Sequence, residues 1–255
     1  MAIHETAIVH KNARIGKGVK IGPFAVIGKY VIIGDNTEIG ARVSLDWIEI
    51  ANNCNISEGA ALGGSPQVLQ HTDCPSYIKI GHNNTIREFV TIHRSMKENG
   101  VTTIGNCNYI MAYAHIAHDC QIGNETVITS YAGLSGHVIV EDRAVIGGAA
   151  GIHQFVKIGS LSMIGGMSRV VKDVPPYFLV EGNPAKPRVI NTIGLRRNQV
   201  PSQIREDLKR IFKILSQSEL NISQAIEKIK KEIPMGVEAR HLVEFIEKSQ
   251  RGITN

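Results

Sequence analysis

The fold of this chain is decided between Thr103 and Lys172, where the sequence reads TIGNCNYIMAYAHIAHDCQIGNETVITSYAGLSGHVIVEDRAVIGGAAGIHQFVKIGSLSMIGGMSRVVK. One aliphatic residue recurs at every sixth position, and the positions are Ile104, Ile110, Ile116, Ile122, Ile128, Leu134, Val140, Ile146, Ile152, Ile158, Ile164 and Val170. An α-helix repeats about every 3.6 residues and a half-buried strand about every two, so neither explains this spacing. A parallel β-helix of hexapeptide turns does, because each turn places one side chain inside.

The same period starts near the amino terminus, with Val9, Ile15, Ile21, Ile27, Ile33, Ile39 and Leu45, and continues after a one-residue slip with Ile50, Ile56 and Leu62. Two excursions, Gly63–Tyr77 and Ser95–Val101, interrupt it just before the central stretch. The paired prolines at 175 and 176 end it, because proline has no backbone N–H for a strand ladder. We therefore predict a hexapeptide β-helix over residues 1–190, with loops near 63–77 and 95–101.

The pattern becomes helical after residue 190. The side chains of Ile204, Leu208, Ile211, Phe212 and Leu215 fall on one helical face. Two shorter helices are expected near 222–233, with Asn221 as the N-cap, and near 238–248. The predicted fold class is thus mainly β, with a C-terminal α-helical domain over 191–255 that caps the exposed edge of the last coil.

Composition restricts the compartment and the partners. The four cysteines are far apart and form no C-x-x-C pair, which favours a reducing compartment. No signal-peptide core and no run of about 20 apolar residues is present, so we expect a cytoplasmic protein without a membrane span. Residues 191–255 contain 12 Lys and Arg against 8 Asp and Glu, a surplus that suits an acidic partner. No aromatic-rich basic groove accompanies it, and nucleic-acid binding is not expected.

A triangular coil of three hexapeptides stacks residues that are 18 apart, separated by roughly the 4.8 Å spacing of neighbouring strands. His118, Gly136 and Gln154 then share one column, and His115 shares a second column with two glycines at 133 and 151. His137 and His153 are adjacent to the first column. Four of the ten histidines are therefore expected on one wall.

His118 is the candidate catalyst, because a histidine with a pKa of about 6.5 can accept a proton from an alcohol at neutral pH. Gly136, one coil further on, offers a backbone N–H with no side chain in front of it, which suits a developing oxyanion. A base and an oxyanion donor on successive coils favour acyl transfer to a hydroxyl group. Asp119 could orient an imidazole, but because it is adjacent to His118 in sequence it is expected to be a solvated corner residue. The glycines 133, 151 and 166 are expected to meet backbone demands at corners.

Several short strings resemble the cytoplasmic UDP-N-acetylglucosamine 3-O-acyltransferases that start lipid A biosynthesis. They are IGPF at 21–24, TIHR at 91–94, AHIAHDC at 114–120, LSGHV at 134–138, IHQF at 152–155 and DVPPY at 173–177. The resemblance implies a left-handed β-helix, a homotrimer with sites between subunits, and a 3-hydroxyacyl donor carried on acyl carrier protein. It implies neither a cofactor nor a metal.

Carried over position by position, the resemblance makes His118 the general base and the Gly136 N–H the oxyanion donor. The residues that it assigns to binding the UDP-sugar or the donor are His115, His137, Gln154, His153, Asn191, Arg197, Gln67 and Gln70. Gly166 falls where the family limits acyl length, with Met163 and Met167 nearby.

Three positions depart from the family pattern. Val68 and Gln70 stand where the family has a sugar-binding Asp and Lys, and Ile193 stands where it has a glutamate. Each lost charge-assisted hydrogen bond is worth about 1.5 to 3 kcal/mol. The acceptor is therefore either the usual sugar or an analogue such as a 3-amino sugar, unless Asp73 substitutes through a shift of the loop.

Two other functions fit parts of the pattern. The clustered histidines also suit a zinc hydro-lyase of the γ-carbonic-anhydrase type, because neutral imidazoles are common zinc ligands. A non-enzymatic scaffold with a basic docking surface is the third possibility, and it leaves the histidine cluster unexplained.

Overall fold

The computed structural model describes residues 2–70, 72–217 and 219–254, so that His71 in the first excursion lies outside the described residues. Short parallel strands occupy most of the first 190 residues. They are β1 (Ala2–Ile3), β2 (Ile8–Val9), β3 (Arg14–Ile15), β4 (Lys20–Ile21), β5 (Val26–Ile27), β6 (Val31–Ile33), β7 (Glu38–Ile39), β8 (Ser44–Leu45), β9 (Ile48–Ile50), β10 (Asn55–Ile56), β11 (Ala61–Gly64), β12 (Tyr77–Ile80), β13 (Thr85–Ile86), β14 (Thr91–His93), β15 (Val101–Ile104), β16 (Tyr109–Ile110), β17 (His115–Ile116), β18 (Gln121–Ile122), β19 (Val127–Ile128), β20 (Gly133–Leu134), β21 (Ile139–Val140), β22 (Val145–Ile146), β23 (Gly151–Ile152), β24 (Lys157–Ile158), β25 (Met163–Ile164), β26 (Arg169–Val170), β27 (Phe178–Gly182) and β28 (Ala185–Ile190).

Every third strand belongs to the same sheet, so the chain winds as a three-sided prism. One sheet runs β1-β4-β7-β10-β13-β16-β19-β22-β25-β27-β28, the second β2-β5-β8-β11-β14-β17-β20-β23-β26, and the third from β3 to β24 in the same steps. The coil is left-handed, opposite to the usual hand of parallel crossovers. The predicted β-helix is confirmed.

The aliphatic residue of each hexapeptide fills the interior. Ile110, Ile116, Ile128 and Leu134 have no exposed surface, and their column neighbours pair in register 18 residues apart, as in Ile116 with Leu134. Each side chain therefore packs on its equivalents above and below, and the core is one continuous stack. Burial of such side chains contributes about 1.5 to 3 kcal/mol each, which explains why the period tolerates few exceptions.

The corner residue in the left-handed region is the third residue after the aliphatic, for example Cys107, Asp119 and His137 with φ of 57°, 60° and 61°. Glycines that directly follow the aliphatic, such as Gly105, do not have positive φ. Gly105 is needed for another reason: a Cβ there would lie 2.4 Å from the carbonyl oxygen of Gly123 in the next coil. Close approach of the coils, rather than backbone conformation, requires these glycines.

A hairpin and four helices follow the paired prolines. The strand β27 continues the first sheet in parallel with β25, and β28 pairs with it antiparallel, so the sheet extends beyond the end of the hexapeptide period. The helices are α1 (Thr192–Arg197), α2 (Ser202–Gln217), α3 (Ile222–Glu232) and α4 (Val237–Glu247). Asn221 caps α3 through a capping box with Gln224, as predicted. The chain then returns to the β-helix, where Thr254 N–H donates to the Asp173 carbonyl.

Within the described ranges, no helix combines the length and the apolar character that crossing a membrane requires.

Candidate active site

The first excursion lies beside the second sheet, and the two together line an open cavity of about 870 Å³. This volume lies within the usual range for small-molecule sites. The walls come from the loop after β11 and from successive coils of the sheet, and the lining residues are Gln67, Val68, Leu69, Gln70, His93, His115, Ala117, His118, Gly133, Leu134, Ser135, Gly136, Gly151, Ile152, His153, Gln154, Arg169 and Val171.

His118 forms a hydrogen-bonded pair with Asp119. Its Nδ1 lies 2.8 Å from Asp119 Oδ2, and the two side chains are only 13% and 10% exposed. An ionised carboxylate accepts hydrogen bonds and donates none, so Nδ1 carries the proton and Nε2 keeps its lone pair. The imidazole is therefore held in the tautomer that a general base requires.

The expectation that Asp119 is a solvated corner residue is wrong. Its left-handed backbone turns the carboxylate back toward the imidazole, and Ser95 Oγ and the Met96 N–H also donate to it, at 2.5 and 3.2 Å. Burial disfavours the charged form, but the hydrogen bonds from Ser95, His118 and Met96 outweigh burial and lower the pKa of Asp119. The carboxylate is consequently ionised at neutral pH.

Gly136 faces the free nitrogen of His118. A Cβ at this position would lie 2.5 Å from His118 Cε1 and 2.6 Å from Nε2, so the imidazole occupies the space that any other residue would fill. Its carbonyl accepts from Phe155 N–H, whereas its own N–H donates to no acceptor among residues 2–70, 72–217 and 219–254. An unused N–H beside a basic nitrogen is the geometry that an oxyanion site needs.

His115 and His137 flank this centre as neutral imidazoles. Burial, followed by the neighbouring His93, lowers the pKa of His115, and burial also lowers the pKa of His137. Thr91 Oγ1 lies 2.8 Å from His115 Nδ1. His137 stacks on Phe155 with ring centroids 4.6 Å apart. Both rings are thus oriented by neighbours and are able to hydrogen-bond an uncharged substrate group.

Gly133 and Gly151 create the open space of the cavity. They pair with His115 and with each other along the second sheet, and a Cβ on either would meet no atom within 4 Å. Neither has positive φ, so the expected backbone demand does not explain them. The missing side chains leave two consecutive coils bare beside the histidines.

The predicted binding residues divide into two groups. Gln67, Gln70, His153 and Gln154 line the cavity with His115, while His137 packs against His118 with centroids 5.2 Å apart. The second group does not line it, and its members are His137, Asn191, Arg197, Gly166, Met163 and Met167. Asn191 instead caps α1 and donates to the Leu161 carbonyl.

Sequence reasoning missed His93 and Arg94. His93 lines the cavity and contacts the Ser65 carbonyl through Nδ1 at 2.7 Å. Its coil pairs with the next one at an offset of 24, as Thr91 does with His115, because the second excursion inserts residues between them. The constant offset of 18 residues therefore does not predict the neighbours of His93. An offset of 24, which allows for six inserted residues, places it in the right column.

Asp73, the candidate substitute for the family's sugar-binding acid, contacts Arg94 instead of lining the cavity. Its Oδ1 accepts a hydrogen bond from the Arg94 guanidinium, and it is not among the residues that line the cavity. Val68 and Gln70 do line it. The loop thus presents the apolar side chain of Val68 and the amide of Gln70 to the cavity, at the positions where the family resemblance implies two charged side chains.

One group of the described residues has the geometry of a metal site. The ligand atoms of His118, Asp119 and His137 all lie within 4.8 Å of one another. His118 Nδ1 is already hydrogen-bonded to Asp119 Oδ2 at 2.8 Å, whereas His137 Nε2 lies 3.8 Å from the same oxygen. A metal bound through His118 Nδ1 would displace the proton of that hydrogen bond.

Comparison with protein families gives two matches. Residues 173–254 match the model described as UDP N-acetylglucosamine O-acyltransferase, domain 2, and residues 102–136 match the bacterial transferase hexapeptide (six repeats). The first covers the end of the β-helix and the helices, and the second covers the coils that carry His115 and His118.

Similar proteins extend over the whole chain. The acyl-[acyl-carrier-protein]–UDP-N-acetylglucosamine O-acyltransferase of Thermodesulfovibrio yellowstonii is 47% identical and covers 98% of both chains. The solved UDP-N-acetylglucosamine acyltransferase of Bacteroides fragilis has a TM-score of 0.96 at 37% identity over 99% of both chains. The Francisella novicida acyltransferase has a TM-score of 0.93 at 39% identity, covering 98% of this chain and 93% of its own.

Proposed function

Since this chain belongs to the family of acyl-[acyl-carrier-protein]–UDP-N-acetylglucosamine O-acyltransferases, we propose that it moves a 3-hydroxyacyl chain from acyl carrier protein to the 3-position of a UDP-glucosamine-type sugar. This reaction is the first step of lipid A biosynthesis. The observation that carries the proposal is the free Nε2 of His118 facing the bare Cα of Gly136, whose N–H is unused among the described residues.

The mechanism follows from these two groups. His118 Nε2 takes the proton of the acceptor hydroxyl while the oxygen attacks the thioester carbonyl of the donor. The Gly136 N–H stabilises the negative charge on the carbonyl oxygen. When the tetrahedral intermediate collapses, the carbon–sulfur bond breaks and the imidazolium returns its proton to the thiolate of the carrier. No side-chain nucleophile is needed, because the acceptor attacks directly.

Asp119 supports this base without exchanging a proton. Because the carboxylate is ionised, it holds Nδ1–H in place and stabilises the positive charge that His118 gains during the reaction. His115 and His137, both neutral, are assigned to the sugar and to the donor carbonyl. Gln67, Gln70, His153 and Gln154 are assigned to the rest of the two substrates, since they line the same cavity.

Val68 and Gln70, in the loop that lines the cavity, bear on the identity of the acceptor sugar. A UDP-sugar with a neutral 3-hydroxyl would be bound less well by these two uncharged side chains than by the charged pair of the family. A 3-amino analogue is therefore the alternative acceptor, and the donor carbonyl and the base are used identically for it. The carrier protein is an acidic partner in keeping with the basic surplus of residues 191–255.

A mixture of 3-hydroxyacyl carrier proteins with both UDP-sugars tests the function directly. Mass spectrometry should detect one acyl chain on the sugar, and the rate should be unchanged after treatment with a chelator. Absence of an acylated sugar from every combination would contradict the proposal. Stoichiometric zinc whose removal abolishes turnover would instead support the hydro-lyase, for which the named relatives give no support.

We also propose that the enzyme is cytoplasmic, which agrees with its four free cysteines.

We further propose that the enzyme is a homotrimer. Asn191, Arg197 and Gly166 lie outside the cavity of their own chain, which is expected if a second copy uses them. Phe89, Tyr113 and Tyr131 stack in an exposed column with centroids 5.1 Å apart, and such a column suits an interface between copies. Sedimentation equilibrium should give three times the 27.8 kDa chain mass, and a monomeric mass would contradict the trimer.

A further inference from the structure

We propose that Ser95 is a positioning residue for the reaction: its hydroxyl fixes the carboxylate of Asp119, and through it the tautomer of His118, while the adjacent Arg94 ties the loop over the cavity to the same point. The proposal rests on the proposed function for its catalytic meaning. Its structural content, the fixing of one imidazole tautomer, does not depend on the substrate.

The Ser95 hydroxyl has one available direction. Its Oγ accepts the Lys97 N–H at 3.0 Å and lies 2.5 Å from Asp119 Oδ1. A hydroxyl has a single proton, and a carboxylate can only accept, so that proton points to Asp119. Ser95 is fully buried, and a Cβ added to Gly100 would lie 2.2 Å from its Oγ. The side chain is thus confined by its surroundings.

The two oxygens of Asp119 are consequently held from opposite sides. Oδ1 accepts from Ser95, whereas Oδ2 accepts from His118 Nδ1 and from the Met96 N–H. The backbone N–H of Asp119 donates to Thr102 Oγ1 at 2.8 Å. Without the Ser95 donor the carboxylate is held through Oδ2 alone, and its rotation about its last bond is less restricted. His118 Nδ1 would then face a less firmly oriented acceptor, which weakens the selection of the Nδ1–H form.

Arg94 makes the connection to the loop. Its side chain is 3% exposed, and its guanidinium donates to the Cys74 carbonyl and to Asp73, as well as to Ser76 Oγ and Ser65 Oγ, both at 3.1 Å. These partners all belong to the loop that carries Gln67 and Gln70 into the cavity.

A second bond joins the same elements. Ser76 Oγ donates to the Ser95 carbonyl at 2.5 Å, so the loop is hydrogen-bonded to the backbone of the very residue that holds Asp119. The sugar-binding loop and the catalytic pair therefore share one buried dipeptide. Displacement of the loop is transmitted to the base through the hydrogen bonds that this dipeptide makes to the loop and to Asp119.

The test compares Ser95→Ala with Ser162→Ala. Ser162 is also fully buried, its Oγ has no hydrogen-bond partner among the described residues, and it does not line the cavity, so it controls for the loss of a buried hydroxyl. Loss of one hydrogen bond to a charged group corresponds to a fall of about ten- to a hundredfold in kcat. We expect this fall for Ser95→Ala, with a smaller change in KM, and no fall for Ser162→Ala.

The decisive readout is the ¹⁵N NMR spectrum of the His118 imidazole in the protein without substrate. The native protein should show the Nδ1–H tautomer alone at a pH where the ring is neutral, and Ser95→Ala should show a mixture. Ser95→Cys keeps the volume with a weaker donor and should lie between the two, which covers a failure of the alanine variant to fold. An unchanged tautomer together with unchanged kcat would overturn the proposal, whereas a native enzyme without acyl transfer would overturn only the function.

Discussion

Replacement of His118 by alanine is expected to lower kcat/KM by about 10²- to 10⁴-fold, the usual contribution of a positioned general base. The reason is that no second group can take its part: Nε2 of His118 faces Gly136, whereas Nδ1 of His115 is engaged with Thr91. The loss should appear in kcat, because the ring acts on the reacting proton rather than on the bulk of the substrate. Steady-state kinetics with a 3-hydroxyacyl carrier protein and a UDP-sugar measure it.

His10→Ala is the matched control for this experiment. His10 is an exposed residue of an early coil that accepts a local hydrogen bond from Asn12 N–H, far along the chain from the cavity. The control should keep native activity, and both variants should unfold at nearly the native temperature. Native turnover by His118→Ala would remove the histidine from the mechanism.

The second large effect is expected for Gly136→Ala, which should lower kcat by about 10²-fold or more. The new methyl group would lie 2.5 Å from His118 Cε1, so the imidazole has to swing away from its place. That movement breaks the 2.8 Å contact with Asp119 and also covers the N–H that is to hold the oxyanion. One methyl group therefore disturbs both catalytic functions, as kinetics and the His118 imidazole spectrum should show together.

Gly133→Ala provides the comparison, since it adds the same methyl group to the same sheet in open space, with no atom within 4 Å. We expect it to raise KM by narrowing the cavity while kcat stays within a few-fold of the native value. A Gly136→Ala enzyme with native kcat would show that neither the position of the imidazole nor the bare N–H matters. Equal kcat losses in the two variants would point to general damage of the coil.

The column of His118, Gly136 and Gln154 was predictable from subtraction because a solenoid repeats the same contacts at a constant offset. Where hexapeptides follow without insertion, the offset is 18 and the prediction of neighbours holds, as in His115 beside Gly133. Where the second excursion intervenes the offset becomes 24, and His93 was missed. The helical end was equally readable, since the N-cap at Asn221 and the apolar face of α2 are local signals.

The role of Asp119 was not readable in this way. Adjacent residues on an ordinary strand point apart, and only the left-handed corner at Asp119 brings its carboxylate back to His118. No glycine occupies this corner, so the sequence does not indicate that the backbone is left-handed there. Ser95 and Arg94 belong to an excursion without a period, so their partners in the 65–76 loop and at Asp119 follow from the path of two loops in space.

By itself the sequence determined that an aliphatic stack would wind this chain into a three-sided coil, and which residues would lie above one another on it. The six-residue period is sufficient to predict this coil, because each inward side chain is buried by the equivalent side chains of the neighbouring coils. The tertiary structure alone decided which nitrogen of His118 is free, what holds Asp119, and that the first loop is anchored beside them. Those contacts join segments whose separation along the chain obeys no period, and they form only where the folded coil brings the two loops together.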